Sequence, residues 1–278
     1  MMKPFTAISN KIFFLFICIV LLSVSGCENN TSEKPAAQND IAVTSSTITD
    51  TTLSKLRLCT ELPMIGEDGL TGDGKQASAL KFLLWPSDKK VLNVRFIDGD
   101  SIVKSKVKEV SKEWEQYCSI RFEYIDTGAA DITISFKQGG SWSYIGKSSA
   151  KHIPSMNLGW LTPATPLTEY YRVVLHEFGH ALGLIHEHQN PAGNVIHWDS
   201  NAVYKYYQQA PNFWTKENIN KNLFEKYKQE SMNGTAFDSL SIMLYAFPKE
   251  LTTDGYATTF NSQLSAMDKK LINILYPK

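Results

Sequence analysis

The chain has 278 residues, 43% hydrophobic and 20% charged, enough apolar material for one sizeable core or at most two; a disordered or collagen-like polymer is excluded. Lys plus Arg and Asp plus Glu each number 28, so the formal net charge is zero and no global field favours nucleic acid or an anionic membrane surface. Four cysteines are too few for a disulfide-dense scaffold, so stability must come mostly from packing.

At the amino end, Lys3 and Lys11 flank the start of an apolar run over 12–24 that ends in Ser25, Gly26 and Cys27. The run is shorter than the roughly twenty residues of a spanning helix and reads as an export signal over 1–26. Its ending, Val24-Ser25-Gly26-Cys27, resembles a bacterial lipobox, in which the signal is removed ahead of the cysteine and Cys27 takes the lipids; an ordinary cleaved signal is the alternative. Several acyl chains hold a protein stably on a bilayer. The expectation is therefore a lipoprotein of the bacterial cell envelope, at the outer membrane or cell surface, with release as a further outcome. Residues 27–55 are rich in Ser, Thr, Asn, Asp and Ala without a sustained apolar period, and read as a disordered tether. In an exported chain Cys59 and Cys118 either pair or stay two unrelated buried thiols.

After the turn-rich stretch 66–74, residues 91–97 alternate, with Leu92, Val94 and Phe96 on one face and Asn93 and Arg95 on the other, and predict a strand. Val103, Val107, Val110, Trp114 and Tyr117 recur at helical steps and predict a helix that packs on a sheet. Two more alternating runs follow, one with Ile120, Phe122 and Tyr124 inward, the other with Ile132, Ile134 and Phe136. The first half thus reads strand, helix, strand, strand, an α/β layer. An edge strand is placed near 142–145, and Pro163 and Pro166 precede a helix over about 168–182. Further on, a helix is placed near 215–227 and another near 265–275, where Ser265 and Asp268 stand at capping-box spacing.

The run 176–186, His-Glu-Phe-Gly-His-Ala-Leu-Gly-Leu-Ile-His, carries the chemistry. Positions i and i+4 lie one helical turn apart on one face, so His176 and His180 can hold one metal ion between them. Gly183 is where the helix should stop, because glycine takes the left-handed conformation that turns the chain back and brings His186 in from another direction. Three imidazoles leave one position open, the mark of a catalytic rather than structural zinc site. One Zn²⁺ polarises a carbonyl and acidifies water, and Glu177 is placed to accept that water's proton and pass it to a leaving amine. An ordinary helix with solvated or core histidines is the alternative, and the coincidence of three His, a Glu and a Gly at these offsets argues against it. His188 is expected behind the ligands or at the surface, and His152 and His197 as ordinary polar positions.

This run resembles the extended motif of the metzincin zinc metallopeptidases, and Glu187 after the third His resembles their astacin branch. Ser241-Ile242-Met243-Leu244-Tyr245 is similar to the astacin Met-turn, which implies that Met243 forms a floor under the metal and that Tyr245 is a displaceable ligand able to stabilise an oxyanion. Gly183 and Glu187 join Met243 as structural support. Trp142, Ser143 and Tyr144 resemble the edge strand along which substrate lies antiparallel, and 264–276 resembles the closing helix. Leu70-Thr71-Gly72-Asp73 resembles the F-x-G-D latency motif, which makes Asp73 a candidate latch on the metal, with Cys59 a competing one. Two departures stand out: Leu244 replaces a usual His, and 188–191 lacks the usual Arg and Asp.

The resemblance spans about 85–276 and implies an α/β (α+β) metzincin-like fold. Its N-terminal lobe would carry a twisted, mostly parallel sheet and two helices, followed by an irregular C-terminal lobe with a closing helix. The domain plan is signal 1–26, tether 27–55, candidate pro-segment 56–84 and peptidase domain 85–278. The implied activity is zinc endopeptidase; the alternatives are a catalytically silent module gripping peptides or glycans, and a cell-wall peptide amidase using the same metal. Expected partners are protein or peptide substrates, with no nucleic acid, the membrane reached only through the lipid anchor, and a monomeric chain.

Overall fold

Six strands form one sheet: β1 Cys59–Glu61, β2 Val91–Phe96, β3 Arg121–Tyr124, β4 Ile132–Ser135, β5 Ser141–Ser143 and β6 Met156–Leu158, in the order β1-β5-β6-β4-β2-β3. Neighbours are parallel throughout except β5 against β6. The computed structural model describes residues 59–61, 82–137, 139–190, 196–210, 212–226 and 236–278, with side chains described from 82 onward. All of these belong to the unit Thr47–Lys278. The export signal, Cys27, the tether, Asp73 and the side chain of Cys59 lie outside the described residues.

Parallel neighbours need a crossover, and α1, Ser101–Ser111, supplies the one between β2 and β3. Asp100 caps it by accepting from the amides of Ile102 at 2.8 Å and Val103 at 3.3 Å. Its stripe Val103, Val107, Val110 is buried in the core that also holds Leu92 and Val94 of β2. The helix is shorter than the stripe predicts: Trp114 falls in a 3₁₀ turn, Trp114–Gln116. The tighter turn is fixed by tertiary contact, since the Trp114 indole donates to the Leu175 carbonyl at 3.0 Å.

The second helix, α2 (Leu167–Ala181), is buried along most of its length. Phe178 meets Phe122 of β3 edge-on at 4.8 Å. Strand β6 and α3, Ser200–Tyr207, are elements the sequence pattern did not reveal. Met156, Asn157 and Leu158 are all buried, so β6 shows no alternation. The predicted helix over 215–227 is instead a short α4, Lys216–Ile219, that widens into a π turn, Asn220–Phe224. The closing helix α5, Ala266–Leu275, starts with the capping box of Ser265 and Asp268 that their spacing predicts.

The main core joins the sheet, α1 and α2 to Ile242, Met243, Leu264, Ile272 and Tyr276. A second cluster, including Val203, Tyr207, Ile219, Leu223, Tyr245 and Phe247, fills the less regular C-terminal part. The architecture is thus the expected α/β one: a mostly parallel sheet with two helices, then an irregular lobe closed by a helix. No helix among the described residues is long and apolar enough to cross a membrane.

One detail answers an alternative left open by the sequence, and a second differs from expectation. Cys118 is a free, buried thiol, donating to the Trp114 carbonyl at 3.4 Å. The outer edge of β5 is not open, because β1 pairs along it in parallel, with Thr60 opposite Trp142. An edge of unpaired N–H and C=O groups is a template for any extended segment, and here the chain's own residues 59–61 use it. Only Trp142 and Ser143 of the expected edge residues lie in β5; Tyr144 follows it and stacks on His152 at 3.7 Å.

Candidate metal centre

Helix α2 ends in a Schellman turn. Gly183 has φ +101°, its amide reaches the His180 carbonyl at 2.8 Å, and the Leu184 amide reaches back to Gly179 at 2.9 Å, which together reverse the chain. The remaining terminal carbonyls are also satisfied. Trp85 Nε1 donates to the Ala181 oxygen and the Tyr276 hydroxyl to that of Leu182, both at 2.8 Å. After the reversal His186 returns to His176 and His180.

These three histidines are buried, and their ligand nitrogens lie within 4.8 Å of one another. Each Nδ1 faces an oxygen: Ile242 carbonyl at 2.8 Å for His176, Leu184 carbonyl at 2.9 Å for His180, and Gln189 Oε1 at 3.2 Å for His186. A carbonyl only accepts, so each Nδ1 carries the proton and each Nε2 keeps its lone pair. Burial also pushes the pKa of all three rings down, that of His180 to about 4, which keeps them neutral near pH 7. The Nε2 atoms of His180 and His186 then stand 3.1 Å apart, a repulsive arrangement for two lone pairs. The Nε2 of His176 is buried without a protein hydrogen-bond partner. A cation resolves both problems: tetrahedral ligands at 2.0–2.1 Å sit roughly 3.3 Å apart. The donor set of neutral imidazoles fits Zn²⁺, and the oxygens on the Nδ1 side orient the ligands.

Glu177, fully buried, follows His176 on α2. Gly179 brings the Met-turn close: a Cβ there would lie 2.5 Å from Met243 Sδ. The turn is held by Asp268 of α5, whose carboxylate accepts from Ser241 Oγ and the Ile242 amide, each at 2.8 Å. The Tyr245 ring lies 4.3 Å from that of His186 and 6.1 Å from that of His176. Glu187 ties the third ligand's loop to the turn, its amide donating to the Met243 carbonyl and its Oε1 accepting from Asn190 Nδ2 and the Asp238 amide, all at 3.0 Å. Burial raises the Glu187 carboxyl to about 7.

A family model, that of the astacin peptidases, matches residues 83–276. The chain is a member of the astacin family. Among solved structures, myroilysin is 41% identical with a TM-score of 0.68, over 72% of this chain and 98% of that one. The astacin fold is also shared with high choriolytic enzyme 1, a hatching enzyme zinc-protease of Oryzias latipes, at 17% identity and a TM-score of 0.52, over 70% of this chain and 95% of that one. Zinc metalloproteinase nas-30 of Caenorhabditis elegans is 29% identical over 201 residues, 68% of this chain but 24% of that protein. Blastula protease 10 of Paracentrotus lividus is 29% identical over 133 residues, 45% of this chain and 21% of that protein. The chain thus spans less than a third of the length of these two curated relatives.

Asp268, which spacing marks only as a helix cap, and Gln189 are site residues that the sequence pattern does not reveal, while His188 takes the first of its two expected places, behind the ligands. His188 is buried at 1% exposure, with Nε2 donating to the Asn222 carbonyl at 2.6 Å, and its ring lies between His186 at 5.3 Å and Tyr245 at 4.7 Å. The π turn after α4 presents that carbonyl, and Gln189 Nε2 donates to the neighbouring Lys221 carbonyl at 2.7 Å. A polar Gln three residues after a ligand was the available signal for the orienter of His186. His197 pairs with Asp254 at 2.8 Å, away from the trio.

Proposed function

We propose that the protein is a zinc-dependent endopeptidase. The carrying observation is the convergence of three buried, neutral imidazoles with their Nε2 lone pairs aimed inward, beside a fully buried Glu177 on the same helix. Zn²⁺ held there supplies Lewis acidity, which polarises a peptide carbonyl and makes water a nucleophile near neutral pH. Glu177 takes the proton from the attacking water and delivers it to the departing amine. The Tyr245 hydroxyl stabilises charge developing on the carbonyl oxygen, while Met243 and Gly179 set the floor beneath the ligands.

The segment 56–84 acts as a pro-segment in this reading, supported by β1 on the outer edge of β5. Export, lipid attachment at Cys27, an envelope location and a monomeric chain complete the proposal and rest on the sequence pattern.

The test is hydrolysis of a peptide library by wild type and Glu177→Gln, with zinc content measured in both. Retained zinc with kcat/KM lowered on the order of 10²-fold to 10⁴-fold is expected. Equal cutting removes Glu177 from the mechanism. Zinc-loaded wild type that binds peptides without cutting any is the result that favours a silent module, and cutting confined to cell-wall peptides favours the amidase.

A further inference from the structure

The Tyr245 ring rests on two imidazoles. Its centroid lies 4.3 Å from that of His186 and 4.7 Å from that of His188. The two imidazoles are 5.3 Å apart and within 17° of parallel, so all three rings are in mutual contact. Both imidazoles are tied down from behind. His186 Nδ1 faces Gln189 Oε1, and Gln189 Nε2 donates to the Lys221 and Glu225 carbonyls at 2.7 and 3.0 Å. His188 Nε2 donates to the Asn222 carbonyl at 2.6 Å. The π turn and the residue after it thus anchor the support of the Tyr245 ring, and such turns recur at functional sites. With the proton on Nε2, His188 keeps a lone pair on Nδ1, which is buried without a hydrogen-bond partner among the described residues. An unpaired buried acceptor is a cost, so packing alone does not account for an imidazole here.

We propose that His188 is a positioning residue for Tyr245: its ring, anchored to the π turn, holds the phenol where its hydroxyl meets the carbonyl oxygen of a peptide under attack. This deepens the endopeptidase reading and rests on it. A donor aids an oxyanion only within hydrogen-bonding reach of the place where the charge develops, and a small misplacement is enough to lower a rate strongly. Protein interiors have little spare room. Removing the His188 ring opens a space into which the Tyr245 ring leans, and the hydroxyl leaves its place.

The test is a double-mutant cycle read in kcat and KM. His188→Gln keeps a donor at the reach of Nε2 and loses the ring, whereas His188→Phe keeps the ring and loses the donor. With Tyr245 present, His188→Gln should lower kcat about tenfold at nearly constant KM, and His188→Phe severalfold. In the Tyr245→Phe background neither should lower kcat more than about twofold, because the hydroxyl they position is gone. Equal losses in both backgrounds, or no loss in either, overturn the proposal. The fluorine NMR line width of 3-fluorotyrosine in place of Tyr245 reads the same hold without catalysis, in zinc-free protein. His188→Gln should broaden the line and His188→Phe should leave it closer to wild type; an unchanged width in His188→Gln overturns the positioning role. Failure of zinc-loaded wild type to cut any peptide overturns the endopeptidase reading, while the line widths still decide whether His188 holds Tyr245.

Discussion

His176 and Asp268 are joined through a single residue: His176 Nδ1 donates to the Ile242 carbonyl at 2.8 Å, and the Ile242 amide donates to Asp268 Oδ2 at 2.8 Å. The closing helix therefore takes part in aiming a metal ligand. Asp268→Ala strips partners from a buried amide and a buried hydroxyl, which should cost about 1–3 kcal/mol or more of stability. It should also weaken zinc about 10-fold to 100-fold, as loss of a ligand-orienting partner does. Chelator competition and thermal melts measure the two separately. Lost stability with unchanged zinc affinity would show that the Met-turn is held by other contacts.

Zinc removal should lower the melting temperature in proportion to the logarithm of free zinc. At a concentration a thousand times Kd the ion contributes about 4 kcal/mol. Calorimetry at stepped zinc concentrations checks this, and a melting point indifferent to chelator would contradict a cation shared by His176, His180 and His186.

The two glycines of the zinc helix should respond differently to alanine. At Gly183 the positive φ is strained for any other residue and a Cβ would lie 2.7 Å from Leu84 Cδ2. Gly183→Ala should therefore cost on the order of 1 kcal/mol or more and loosen zinc, because His180 is aimed by the carbonyl of the next residue, Leu184. At Gly179 the nearest neighbour is the thioether of Met243, an unbranched side chain that can adapt by changing rotamer. Equal losses in urea denaturation and zinc retention would refute this ordering.

Residues 59–61 occupy β5 in parallel, whereas an extended substrate would add to that edge antiparallel. Removing the chain up to residue 81 should raise kcat/KM at least tenfold on long peptides and less on dipeptides, which do not need the strand. No gain with long peptides would make β1 a purely structural strand.

Cys118 is buried, and burial raises its thiol pKa. The folded protein should resist thiol alkylation that its urea-unfolded form accepts. The unfolded thiol ionises near pH 8.5 while the folded one stays protonated, so stability falls as pH rises above that value. Cys118→Ala should flatten this decline, read as the denaturation midpoint between pH 8 and pH 10. Rapid alkylation of the native protein would contradict the burial.

How much was legible depended on whether a residue's partner lay nearby in sequence. The strand Val91–Phe96, the stripe Val103, Val107, Val110 and the capping box of Ser265 carry local periodicity or spacing, so they could be read directly. The trio His176, His180 and His186 and the turn at Gly183 sit within one short run. Strand β6 is buried on both faces and has no alternation to detect. Trp114 leaves the α-helix because of a carbonyl at Leu175, and Asn222 enters a π turn whose carbonyl meets His188; in both cases the deciding partner is more than thirty residues away.

The Tyr276 hydroxyl accepts from the Trp85 amide at 3.2 Å while it donates to the Leu182 carbonyl. The start and finish of the family-matched region are therefore clasped over the end of the zinc helix. Bridging them with a short linker and opening the chain at an exposed loop would give a circular permutant with its seam over the end of the helix that carries His176 and His180, so the spectrum of a cobalt-substituted protein could report on how well that junction closes.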